Sequence, residues 1–143
     1  MSKFLSIICA VAFSAGLLQA SEGVVKVEKL WTCKEDRNIW NYRIKISKLV
    51  KYNENAVPEV VGHQATLSEY NVFTGRERIL RPAIKVSEVE RVNPAPGTPM
   101  EWKGEGFNLT IMITVVDGID GFYSEFEGLS HRGNPLHLRM GCE

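Results

Sequence analysis

The feature that most limits the folds open to this chain is a pair of cysteines near its two ends. Cys33 sits in LWTCKED and Cys142 in PLHLRMGCE, more than a hundred residues apart. Each lies in a segment whose apolar residues recur at every second position, the pattern of a half-buried strand. A bond between them fastens the first strand to the last, and closing a loop of that length is worth about 4–5 kcal/mol in unfolded-chain entropy. The third cysteine, Cys9, falls in MSKFLSIICAVAFSAGLLQA. There Lys3 supplies a basic start, Phe4 to Phe13 an apolar stretch too short to span a bilayer, and Ala20 a small residue at a cleavage point. Residues 1–20 therefore read as a secretory signal peptide cut near Ala20, which takes Cys9 with it. Cys33 and Cys142 remain as an even pair in an oxidising compartment, periplasmic or extracellular, where one disulfide is expected.

Residues 21–143 have the length of one domain. With Lys3 removed, 16 basic residues face 17 acidic ones, which argues against recruitment of nucleic acid or an anionic membrane by bulk charge. Nothing after the leader is apolar over the length of a membrane span. The expected partner is a protein or a small apolar ligand.

Period-two alternation continues along the rest of the chain, and no stretch carries a helical period. Seven strands are expected, at 24–36, 39–50, 63–74, 76–92, 101–116, 121–131 and 135–142. Bulges are expected near Leu80 and Val89, and a bend near Pro82. In FNLTIMITVV, Phe107, Leu109, Ile111, Ile113 and Val115 share one face. A loop at 117–120 then sets Val115 opposite Phe122 and Ile111 opposite Phe126. A three-residue turn at 132–134 sets Phe126 opposite Met140 and Ser124 opposite Cys142, and the first hairpin sets Cys33 opposite Tyr42 and Trp31 opposite Ile44. Short links make an antiparallel meander the simplest topology, closed into a small all-β barrel of seven or eight strands by the disulfide. Because seven strands would leave the closing pair parallel, an eighth is expected from division of 76–92 or 101–116. A β-sandwich stapled across two sheets is the alternative.

With seven strands, the turns at 36–38, 74–76 and 117–120 share the rim of the disulfide. The long loops 51–62 and 93–100, with the turn at 132–134, share the other, and loops gathered on a rigid scaffold are where binding surfaces form. Tyr52, Asn53, Asn55, Trp102, His131 and Arg132 are the candidate binding residues there, exposed aromatic and arginine side chains being common anchors. Ser124, Gly128 and Ser130 line one inner wall with small residues, which either opens a pocket for an apolar ligand or fits the taper of a filled barrel. Neither the three histidines nor the acidic residues fall into a metal or catalytic motif, and no nucleophile elbow or phosphate loop is present. No cofactor is expected. Asn108-Leu109-Thr110 matches a glycosylation triplet, but within a strand.

Trp31-Thr32-Cys33 near the start of the exported chain, Trp102-Lys103-Gly104 and a cysteine next to the C-terminus resemble the periplasmic inhibitors of c-type lysozyme. That resemblance implies a small disulfide-linked barrel. The Ser-Gly-x-x-Tyr loop that carries inhibition in that family has no counterpart in this sequence, so no functional residue is transferred. The expected function is that of an exported, soluble, non-enzymatic binding module whose loop rim contacts a protein or a small ligand, a hydrolase inhibitor being a special case. The alternative is a structural or envelope-associated protein with no specific ligand.

Overall fold

A computed structural model describes residues 25–116 and 119–143. The expected leader with Cys9, and residues 117–118 within the expected 117–120 turn, lie outside the described residues. Eight strands follow in order: β1 (Val25–Lys34), β2 (Trp40–Tyr52), β3 (Pro58–Asn71), β4 (Glu77–Glu88), β5 (Met100–Gly104), β6 (Phe107–Val116), β7 (Ile119–Leu129) and β8 (Pro135–Cys142). Each pairs antiparallel with its neighbour in sequence, and β8 returns to β1. The fold is a closed antiparallel meander barrel, not a sandwich. No helix among the described residues is long and apolar enough to cross a membrane.

The eighth strand comes from division of the 101–116 segment at Glu105-Gly106. Gly106 has φ 59°, a left-handed conformation that costs glycine nothing. A Cβ added there would lie 3.0 Å from the Leu129 side chain. Around β4, Leu80 is an extra residue opposite β3 and Pro82-Ala83 stand opposite Thr66 alone, because Ser68, Leu67 and Ala65 pair with Ile79, Arg81 and Ile84. Thr66 Oγ1 donates to the Pro82 carbonyl at 2.9 Å, which holds the bend expected there. Val89 lies beyond the end of β4 rather than in a bulge.

Inward-facing residues fill the barrel. Cys33, Ile44, Ile46, Leu67, Leu109, Ile111, Phe126 and Met140 have almost no exposure, and Phe107 packs on Phe126 with ring centroids 5.1 Å apart. The small wall opens no space at Gly128, since a Cβ there would stand 2.5 Å from Phe126 Cζ and 2.4 Å from the Gly106 carbonyl. Ser124, fully buried, donates its hydroxyl to the Met140 carbonyl at 3.3 Å. Small residues here accommodate a large ring rather than a ligand.

Three expected registers are corrected, each by two residues. Cys33 faces Ile44 and Trp31 faces Ile46. Ile113 faces Phe122 and Leu109 faces Phe126, because β6 runs on to Val116 and β7 begins at Ile119. Phe126 faces Leu138 and Phe122 faces Cys142 across a five-residue β7–β8 turn, 130–134. The long 51–62 loop is also corrected: β2 runs to Tyr52 and β3 begins at Pro58, which leaves the turn 53–57.

An added strand exchanges the rims. The turns 35–39, 72–76, 105–106 and 130–134 now share one end of the barrel, and 53–57 and 89–99 the other. Arg81 ties the first end together. Its guanidinium donates to the carbonyls of Gly106 at 2.8 Å, Leu129 at 3.1 Å and Glu105 at 2.7 Å, joining β4 to the β5–β6 turn and the end of β7.

The cysteines do not sit at a shared rim, as seven strands would require. β1 and β8 run antiparallel and overlap only at their C-terminal ends, where Cys33 faces Cys142 and Lys34 faces Gly141. Thr32 and Glu143 exchange two backbone hydrogen bonds of 2.9 Å beside them. The disulfide crosses this short seam, with Cys33 fully buried.

Candidate functional site

Two of the inward rows end in polar side chains at the end that carries the 35–39 and 130–134 turns. Along β2 the row Ile46, Ile44 ends at Tyr42, along β3 the row Ala65, Leu67 ends at Glu69, and along β8 the row Met140, Leu138 ends at Leu136. A hollow of about 320 Å³ opens there, lined by Tyr42, Glu69, Arg78 and Leu136 with Ser130, His131, Arg132 and Asn134 of the turn. Polar groups converge around Leu136 at a barrel mouth, a place where rigid scaffolds commonly hold ligands.

Arg78 and Glu69, opposite each other in the β3–β4 ladder, form an ion pair at the mouth. The Arg78 guanidinium also lies 5.8 Å from the centroid of the Trp40 ring. Burial raises the pKa of Tyr42, with Glu69 and Glu35 adding to the rise and Arg78 opposing it. The phenol therefore stays protonated at neutral pH and serves as donor and acceptor. The 130–134 turn is fixed by its own backbone: Ser130 N–H donates to the Asn134 carbonyl at 2.8 Å, and the Ser130 hydroxyl accepts from the Arg132 and Asn134 N–H groups, each at 3.2 Å. His131 and Arg132 are exposed on it, and neither side chain has an ion-pair partner among the described residues. A rigid turn thus presents two basic groups at the edge of the hollow.

On the outer wall nearby, Glu77 accepts from Ser68 Oγ at 2.7 Å and lies 3.4 Å from Lys45 Nζ and 4.0 Å from Arg43 Nη1. Arg43 in turn stacks 4.2 Å over the Tyr70 ring. The Ser68 hydrogen bond, then Lys45 and Arg43, hold the Glu77 pKa below its usual value against the opposing effect of burial. A depressed carboxylate pKa stabilises the fold above the unfolded-state value and loses that contribution as pH falls through the folded value. Replacing Ser68 with alanine is thus expected to move the Glu77 carboxyl titration, read by NMR, to higher pH. It should also flatten the acid-side loss of stability, and an unchanged titration would show that the hydroxyl does not set it.

The six candidate binding residues are divided among three places. His131 and Arg132 line the mouth. Tyr52, Asn53 and Asn55 lie at the opposite end, on or beside the 53–57 turn. Asn53 is the turn former there, its side-chain oxygen accepting from the Asn55 N–H at 3.0 Å and the Val57 N–H at 2.9 Å, while Tyr52 donates to Glu28 at 3.4 Å. Trp102, expected as an exposed anchor, is instead 2% exposed, with its ring 5.1 Å from that of His63. Tyr42, Glu69 and Arg78 were missed, although the polar ends of the inward rows carried a signal for the first two. His137 is exposed on the outer face opposite Glu127, and among the described residues no group of His, Cys, Asp and Glu is arranged to hold a metal ion.

Fold and mouth together define the molecule as a small disulfide-linked antiparallel barrel with a polar opening. Comparison with protein-family models, curated proteins and solved structures finds no match to this chain.

Proposed function

We propose that this chain is an exported, non-enzymatic binding module and that the mouth around Tyr42, Glu69, Arg78, His131 and Arg132 is its binding surface. The observation that carries the reading is the pair of exposed side chains His131 and Arg132, without ion-pair partners among the described residues, held on a hydrogen-bonded turn above a concave polar hollow. Such a surface suits an acidic side chain on the loop of a partner protein. Arg132 supplies a planar two-pronged donor for the carboxylate, Tyr42 a hydroxyl beneath it, and the barrel the rigidity that limits the entropy lost on binding. The Cys33–Cys142 bond is consistent with an oxidising compartment, which supports the export part of the reading.

Titration of isotopically labelled protein with a glutamate-rich peptide tests it. Amide shifts are expected to cluster at residues 40–43, 69–78 and 130–136, and Arg132→Glu combined with His131→Ala should weaken the interaction by about tenfold, as reversal of an exposed charge and loss of a neighbouring hydrogen-bonding ring do. Shifts spread evenly over the basic surface, or unaffected by the double variant, would remove the mouth from consideration.

A further inference from the structure

The short overlap of β1 with β8 leaves the rest of β1 at the edge of the sheet. From Val25 to Trp31 that strand pairs with β2 on one side only, and no other strand among the described residues lies beside it. The direction of its free groups follows from the ladder. Glu35 N–H donates to the Tyr42 carbonyl, so even-numbered residues of β2 turn their backbone groups toward β1. Lys26 and Glu28, opposite Val50 and Lys48, therefore spend theirs on β2. Val25, Val27 and Lys29 direct their N–H and C=O groups outward, and Val25 and Val27 are 47% and 54% exposed. An unpaired edge with exposed valines is a template for pairing with another strand.

We infer that β1 pairs antiparallel with β1 of a second copy of this chain, about a two-fold axis through Val27. Charge selects both the occupant and the register. A two-fold antiparallel pair must place one residue opposite its own copy. Axes through Lys26, Glu28 or Lys29 set like charges face to face. An axis through Leu30 falls on the bulge between Lys29 and Trp31 and runs the edge into Thr32, whose backbone groups are already bonded to Glu143. With the axis at Val27, valine meets valine, and Lys26 of each copy faces Glu28 of the other, twice. Of the axes from Lys26 to Leu30, this one alone makes the strand self-complementary. Glu28 is also prepositioned, since Lys48 Nζ at 3.2 Å and the Tyr52 hydroxyl at 3.4 Å hold its carboxylate in place. This edge begins at the end of the barrel away from the Tyr42 mouth, so pairing leaves that mouth open on both copies.

Sedimentation of the oxidised protein over a wide concentration range tests the assignment. A reversible monomer–dimer equilibrium is expected. Val27→Pro removes an outward N–H without touching the β1–β2 ladder and should abolish the dimer while leaving the melting curve of the monomer intact. Lys26→Glu and Glu28→Lys should each weaken dimerisation about tenfold or more, because each turns both cross-strand ion pairs into repulsions. An equimolar mixture of these two variants restores both pairs and should form the mixed dimer, seen as one mass by native mass spectrometry. Protein that stays monomeric at every concentration would overturn the inference. So would a dimer indifferent to these substitutions, a mixture no better paired than its components, or open-ended oligomers, which would point to β1 pairing with β8 head to tail.

Discussion

Replacing Cys33 and Cys142 with alanine is expected to lower the melting temperature by about 15–20 °C, the thermal equivalent of about 4–5 kcal/mol in a domain of this length. The entropy term is large because 109 positions separate the cysteines. The native seam offers little in compensation: among the described residues, β1 and β8 share two paired positions and the Thr32–Glu143 bonds. Chemical reduction of the unaltered protein should reproduce the shift, and amide exchange should show Thr32 and Glu143 losing protection before the β2–β3 ladder does. Scanning calorimetry of the oxidised, reduced and double-alanine forms checks this. A change of only a few degrees would mean that the seam is held by something other than the sulfurs.

Truncating Phe126 to alanine is expected to cost about 3–5 kcal/mol, measured by urea denaturation, because the ring is fully buried and no neighbour can collapse into its place. It fills the space above Gly128 and packs against Phe107, and the strand ladder fixes both. Phe126→Leu keeps most of the volume and should cost about 1–1.5 kcal/mol. If alanine proved as mild as leucine, the interior would have to be less tightly filled than the packing around Gly128 requires.

Faces were more legible in the sequence than registers, and the reason is geometric. Side chains alternate with period two, so a pairing error of two residues returns every side chain to the same face. Cys33 opposite Ile44 rather than Tyr42, and Phe126 opposite Leu138 rather than Met140, are errors of that kind. The inward rows therefore survived while each turn length was mistaken. The division of 101–116 was anticipated as one of two places for an eighth strand, but the Gly106 conformation that makes the turn depends on its packing under Leu129. Trp102 shows the opposite limit. A tryptophan beside a loop reads equally as an anchor or as core, and only the neighbouring His63 ring and the β5–β6 pairing put it inside.

What the sequence determined without help was the all-β character, the identity of the inner faces and the pairing of Cys33 with Cys142, since the first two follow from alternation along the chain and the third from the two cysteines left once the expected leader is set aside. What only the tertiary structure decided was which loops meet. One extra reversal at Glu105-Gly106 sends His131 and Arg132 to the end opposite Tyr52, Asn53 and Asn55 and brings them beside Tyr42, Glu69 and Arg78. Proximity across a barrel depends on the number of strands and on their stagger, and neither is a property of any local stretch of residues.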